Sequence, residues 1–166
     1  GVPPAHQWRW QDIEPVVTKA AETITGHDAD HRVLVLRNPN LAGRMASTST
    51  IVGAIQCVLP GERTTPHRHT AAAVRVILEG DGGGTFVDGI RCDMRPGDFI
   101  VTPNWTWHNH DIDRSRRTVW LDILDVPLVK QINAMFGQLG PARSYPETVG
   151  TLPDALFARG GLMPVR

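Results

Sequence analysis

Thr65-Pro66-His67-Arg68-His69 and, further along, Pro103-Asn104-Trp105-Thr106-Trp107-His108-Asn109-His110 hold four of the seven histidines in the chain. In an extended strand, residues two apart face the same side, so His67 and His69 can aim two imidazoles at one point. A third imidazole from another strand, His108 at its rim, completes a facial set around a divalent ion. Three neutral nitrogen ligands leave such an ion its full charge and some open positions, which suits a catalytic site better than a structural one. His6, His27 and His31 read as surface residues. Strands need partners, so this placement of the two clusters points to a β fold.

Working outward, the segment from Arg32 to Leu124 consists of short runs of Val, Ile, Leu, Phe, Trp and Thr broken by Gly, Pro, Asn and Asp, the pattern of antiparallel strands in a sandwich or barrel. Strands are expected at Val33 to Leu36, Ile51 to Leu59, Ala73 to Glu79, Gly84 to Val87, Asp98 to Thr102 and Thr118 to Leu124. Leu59-Pro60-Gly61, Glu79-Gly80-Asp81, Val87-Asp88-Gly89 and Arg95-Pro96-Gly97 supply the turns between them. Asp81-Gly82-Gly83-Gly84 has no helix after it, so it reads as a hairpin and not as a phosphate loop. Before the strands, Ile13, Val16, Val17, Ala20 and Ile24 fall at helical spacing from Trp10 to Thr25, with Asp12 as the N-cap and Pro15 in the first turn. After them, Pro127 suits a first helical position, and Leu128, Ile132, Met135, Phe136 and Leu139 form a stripe that Gly140-Pro141 ends. The expected partition is a helical arm over 1–31, a barrel over 32–125, and a helix with a linker-like tail over 126–166.

A chain of 166 residues has room for one well-buried core. Basic and acidic residues number 17 each, which gives no charge excess to attract nucleic acid or an anionic membrane. Neither a signal peptide nor an apolar span is visible, so the expected location is the cytoplasm. Cys57 and Cys92 lack CxxC spacing and are expected to stay reduced, packed and without a chemical role.

The spacing of Gly61, His67, His69, Ala73 and Gly80 resembles the first cupin motif, and that of Gly97, Pro103, Trp105 and His108 resembles the second. The resemblance implies an all-β fold, the cupin double-stranded β-helix or jelly-roll barrel, with flanking N-terminal and C-terminal helices. Ala73 stands where cupins usually carry a glutamate ligand, and Trp105 stands where they usually have glycine. An alanine cannot bind a metal, so a site of three histidines and one glutamate is excluded.

A narrower resemblance accounts for that loss. Arg32-Val33-Leu34-Val35-Leu36, His67-Arg68-His69-Thr70, Arg75-Val76-Ile77-Leu78-Glu79-Gly80 and Pro96 through His110 resemble the gentisate, salicylate and 1-hydroxy-2-naphthoate dioxygenases over nearly the whole chain. The resemblance implies Fe(II) held by His67, His69 and His108, and cleavage of an aromatic ring between the carboxyl-bearing and hydroxyl-bearing carbons. It implies catalytic roles for His110, Arg75 and Asp122, and substrate contacts from Arg75, His110, Gln56 and Trp107. Val52 stands where some members carry a pocket tryptophan. The implied partners are a small aromatic acid and O2, with gentisate first, and a homo-oligomer is expected. Family members usually carry two cupin domains, so a second one is expected to be missing here. Two other readings stay open: a metal-dependent cupin with isomerase or hydrolase activity, and a non-catalytic cupin that binds a small ligand.

Overall fold

A computed structural model describes residues 4–24, 32–41, 43–112 and 116–140. Helix α1 covers Trp10–Thr23. The strands are β1 Val33–Leu36, β2 Val52–Val58, β3 His67–His69, β4 Ala73–Glu79, β5 Gly83–Val87, β6 Ile90–Met94, β7 Phe99–Thr102, β8 His108–Ile112, β9 Thr118–Leu124 and β10 Gly137–Leu139, with helix α2, Val126–Gln131, before β10. They form two five-stranded sheets, ordered β1-β2-β9-β4-β7 and β10-β3-β8-β5-β6. Every named pairing is antiparallel.

The core between the sheets draws on both. Val58, Ile77, Ile100 and Trp120 come from the first sheet, and Met94 and Ile112 from the second. Burying each such side chain is worth roughly 1.5–3 kcal/mol. The other side of the first sheet is covered by α1, whose Ile13 and Val17 pack on Ile55, Cys57 and Val119. Strand β2 is therefore apolar on both faces, and six of its seven residues are buried.

Turn chemistry holds the strands in register. Val87 pairs with Ile90 across the two-residue loop Asp88-Gly89, and both loop residues have positive φ, 47° and 82°, as a type I′ hairpin turn requires. At Gly80, φ is 120° and an added Cβ would lie 2.6 Å from Thr118 Oγ1, so no larger residue fits that close approach.

Five sequence expectations need correction. The Asp81-Gly82-Gly83-Gly84 stretch is not a hairpin, because it carries the chain from β4 in the first sheet to β5 in the second, which do not pair. Helix α1 is capped by Arg9, whose carbonyl accepts from the Asp12 and Ile13 N–H groups at 2.9 and 3.2 Å. Asp12 thus sits in the first turn, and Pro15 lies inside the helix. The second helix stops at Gln131, where Asn133 turns to φ 56°. Ile132, Phe136 and Leu139 of the expected stripe are 68%, 57% and 76% exposed, and Gly137–Leu139 is strand β10, paired with β3. Gly140 closes that strand by donating to Pro66 O at 2.7 Å and does not end a helix. Strands β6 and β10 were not expected from the sequence. The tail Ala142–Arg166, His27 and His31 lie outside the described residues.

Candidate metal centre

Each candidate ligand histidine is placed by its strand. His67 and His69 are the two ends of β3 and share its inner face; His108 opens β8 directly opposite His67. The ring centroids are 4.3 Å apart for His67–His108, 4.9 Å for His69–His108 and 5.7 Å for His67–His69. One ligand atom from each lies within 4.8 Å of the other two. Backbone carbonyls select which atom. His67 Nδ1–H donates to Thr65 O at 2.8 Å, His69 Nδ1–H to Ala71 O at 2.7 Å, and His108 Nδ1–H to Thr106 O at 3.0 Å. A carbonyl only accepts, so each ring carries its proton on Nδ1 and presents a bare Nε2. Such a bond also fixes ring orientation, as it does around bound metals generally.

His108 Nε2 is buried and has no hydrogen-bond partner, a costly state for a polar atom unless a ligand answers it. The donor set therefore fits a divalent metal. Burial first, and then the unfavourable placing of a second positive charge beside His67 and Arg75, holds the His108 pKa down at about 2. His69 is lowered as well, chiefly by burial. Both rings stay neutral at ordinary pH, the form that ligates.

Facing this cluster from the first sheet is a buried charge pair. Arg75 on β4 and Asp122 on β9 are in register, so their side chains share the inner face. Arg75 Nε lies 2.9 Å from Asp122 Oδ1. Neither atom has an aligned hydrogen bond, so the contact is a close charge pair. Asp122 Oδ2 accepts from Trp120 Nε1 at 2.9 Å, and Arg75 Nη1 donates to Thr102 Oγ1. Burial pushes the Asp122 carboxyl up and the Arg75 guanidinium down, while their mutual attraction favours the charged forms. With one oxygen on Trp120 and the other against Arg75, Asp122 does not replace the carboxylate ligand lost at Ala73.

His110, also on β8, is 2% exposed, and its ring packs 4.6 Å from that of Trp120. Its Nδ1 lies 2.6 Å from Thr85 Oγ1, and burial drives its pKa well down. Gln56 pairs with Trp120 and so faces inward, half-buried, one step from the Arg75–Asp122 row. Val52 is on the same inner face, 8% exposed. Trp107, expected to touch substrate, is turned the other way. It precedes the inward His108, so alternation sends it outward, where the Arg68 guanidinium lies 4.6 Å from its ring and 4.3 Å from that of Trp105. Trp105, at the usual glycine position, adopts φ 61°, and its N–H donates to His69 O at 2.8 Å.

Sequence reasoning missed Thr85, Thr102 and Trp120, which hold His110, Arg75 and Asp122. Alternation could have flagged the threonines as polar residues at inward strand positions, but their partners lie on other strands.

Residues 54–124 match the cupin domain family. Fold and site together make this domain a cupin, with three histidines as its candidate ligands. More narrowly, the chain is a homologue of ring-cleaving dioxygenases. It is 40% identical over 158 residues to a gentisate 1,2-dioxygenase of Ralstonia sp, covering 95% of this chain and 44% of the relative. It is 38% identical over 161 residues to gentisate 1,2 dioxygenase 1 of Aquipseudomonas alcaligenes, covering 96% and 46%. Among solved structures, the gentisate adduct of salicylate 1,2-dioxygenase from Pseudoaminobacter salicylatoxidans superposes with a TM-score of 0.82 at 30% identity, over 98% of this chain and 47% of that one. The chain thus spans about half the length of the curated relatives it matches.

Proposed function

We propose that the chain forms the iron-binding part of an Fe(II)-dependent extradiol-type dioxygenase that opens a hydroxylated aromatic carboxylate between its carboxyl- and hydroxyl-bearing carbons, with both atoms of O2 entering the product. Gentisate is the first candidate substrate, ahead of salicylate and 1-hydroxy-2-naphthoate, and the enzyme is read as a cytoplasmic homo-oligomer. The observation that carries this reading is the convergence of three bare Nε2 atoms opposite a buried arginine.

Iron(II) held by His67, His69 and His108 would supply a cation that chelates the carboxylate and the adjacent hydroxyl and activates dioxygen. The protein's own groups do the rest. Arg75 has Nε and Nη1 engaged by Asp122 and Thr102, which leaves Nη2 to bind the substrate carboxylate by a charge-assisted hydrogen bond. Asp122 keeps that guanidinium in place and lowers the cost of its burial. His110, neutral and beside the ligand cluster, holds or takes up the proton of the ring hydroxyl. Gln56 offers an amide to the far side of the ring. The apolar layer of Ile77, Ile100 and Trp120 below excludes water.

Metal analysis followed by oxygen-electrode assays with the three acids tests the reading. We expect bound iron and oxygen uptake, with both lost in His108→Ala. A protein that holds only zinc and consumes no oxygen after iron reconstitution refutes it.

A further inference from the structure

The three candidate ligands and His110 differ in what answers Nδ1. For the ligands it is a backbone carbonyl, which cannot donate. For His110 it is the hydroxyl of Thr85, 2.6 Å away, which can donate or accept. What Thr85 does with its single proton therefore decides which His110 nitrogen is bare.

Thr85 on β5 stands in register with His110 on β8, and both side chains are almost completely buried. Thr85 Oγ1 also lies 3.5 Å from Met94 Sδ, itself fully buried. If the hydroxyl donates to Nδ1, the sulfur receives nothing and Nε2 carries the ring proton. If it donates to the sulfur, Nδ1–H fills a Thr85 lone pair and both contacts become hydrogen bonds. The second arrangement answers both Nδ1 and the sulfur, as a dry interior favours, and leaves Nε2 as the one bare acceptor of the trio. The ring is not free to turn away. The His110 backbone N–H donates to Thr64 Oγ1 at 2.8 Å, and the ring face lies against Trp120.

We propose that Thr85 is a positioning residue that accepts from His110 Nδ1–H, passes its own proton toward Met94 Sδ, and so holds His110 Nε2 as an acceptor for the ring hydroxyl of the substrate. The identity of that hydroxyl rests on the dioxygenase reading; the tautomer is a property of the protein alone.

Multiple-bond proton–nitrogen correlation spectra of the 15N-labelled, metal-free protein at neutral pH read the tautomer directly. We expect a protonated Nδ1 and a bare Nε2 at His110, and a protonated Nε2 overturns the proposal. Thr85→Val is expected to leave His110 without a single tautomer and to lower kcat about tenfold or more with KM little changed, whereas Thr85→Ser keeps both near wild type. A valine variant with the wild-type tautomer, or a serine variant as impaired as the valine one, overturns it. If the valine variant does not fold, Met94→Leu reads the same relay. With no sulfur to receive it, the Thr85 proton is expected to move to Nδ1 and shift His110 toward Nε2–H, and an unchanged spectrum refutes the relay. The expected tautomer in a protein that takes up no oxygen with any of the acids upholds the proposal and sinks the dioxygenase reading. Oxygen uptake with Nε2–H does the reverse.

Discussion

The two sheets contribute to one site by different means. The first supplies Arg75, Asp122 and Gln56 from seven-residue strands that pair over nearly their whole length, with one irregularity between Ile77 and Glu79, and are backed by α1. The second supplies all four site histidines from β3 and β8, of three and five residues, which share a single residue pair. The long strands carry a charge pair whose burial has to be offset by partners. On the short ones, each candidate ligand imidazole is fixed by its own carbonyl, and β3 is clamped from its far edge by β10. Strand length sets the precision of one half of the site, and local hydrogen bonds set that of the other.

The contrast breaks most visibly at the charge pair. Asp122→Ala leaves Arg75 buried without its counter-charge and should cost about 3–5 kcal/mol of stability, read by urea denaturation. A loss below about 1 kcal/mol would mean that the first sheet does not depend on the pair. Acid probes the other sheet. His69, His108 and His110 have folded pKa values below that of a free imidazole, so the unfolded chain binds more protons as pH falls. Stability is then full above about pH 6.5 and falls below it, by about 1.4 kcal/mol per pH unit for each histidine until its folded pKa is reached. Denaturation midpoints between pH 7 and 5 check this, and a flat profile would show the rings to be solvated. The smallest effect is expected from Arg68→Ala, which removes the cation over Trp105 and Trp107 and the bonds to Gln138 Oε1 at 2.6 and 3.0 Å. A loss near 1 kcal/mol, with weaker metal uptake, would show that the outer side of β3 supports its inner side.

What the sequence disclosed follows the same division. The bounds of β1, β4 and β9 match the expected ones, because runs of apolar and β-branched residues bounded by polar or turn-forming ones are local signals. The convergence of His67, His69 and His108 was legible because their spacing is itself the geometry of a strand. Residues 132–139 were not. Their apolar spacing suits a helix, but the open edge of β3 takes Gly137–Leu139 as a strand, and that demand arises far away in the chain. The outward position of Trp107, against Arg68, was not legible because its nearness to His108 in sequence hides the alternation that sends neighbours to opposite faces. Thr85 and Thr102 were illegible because a threonine in a strand declares nothing until its cross-strand partner is known.

The pairing of β10 with β3 also bears on the order of assembly. Arg68 and Gln138 meet across a sequence separation of 70 residues, and closing so long a loop carries an entropic cost that contacts within hairpins avoid. A nascent polypeptide emerging from the ribosome would thus form the β5–β6 hairpin early and seal the flank of the histidine strand late. The convergence of the three imidazoles would then be among the last events of maturation.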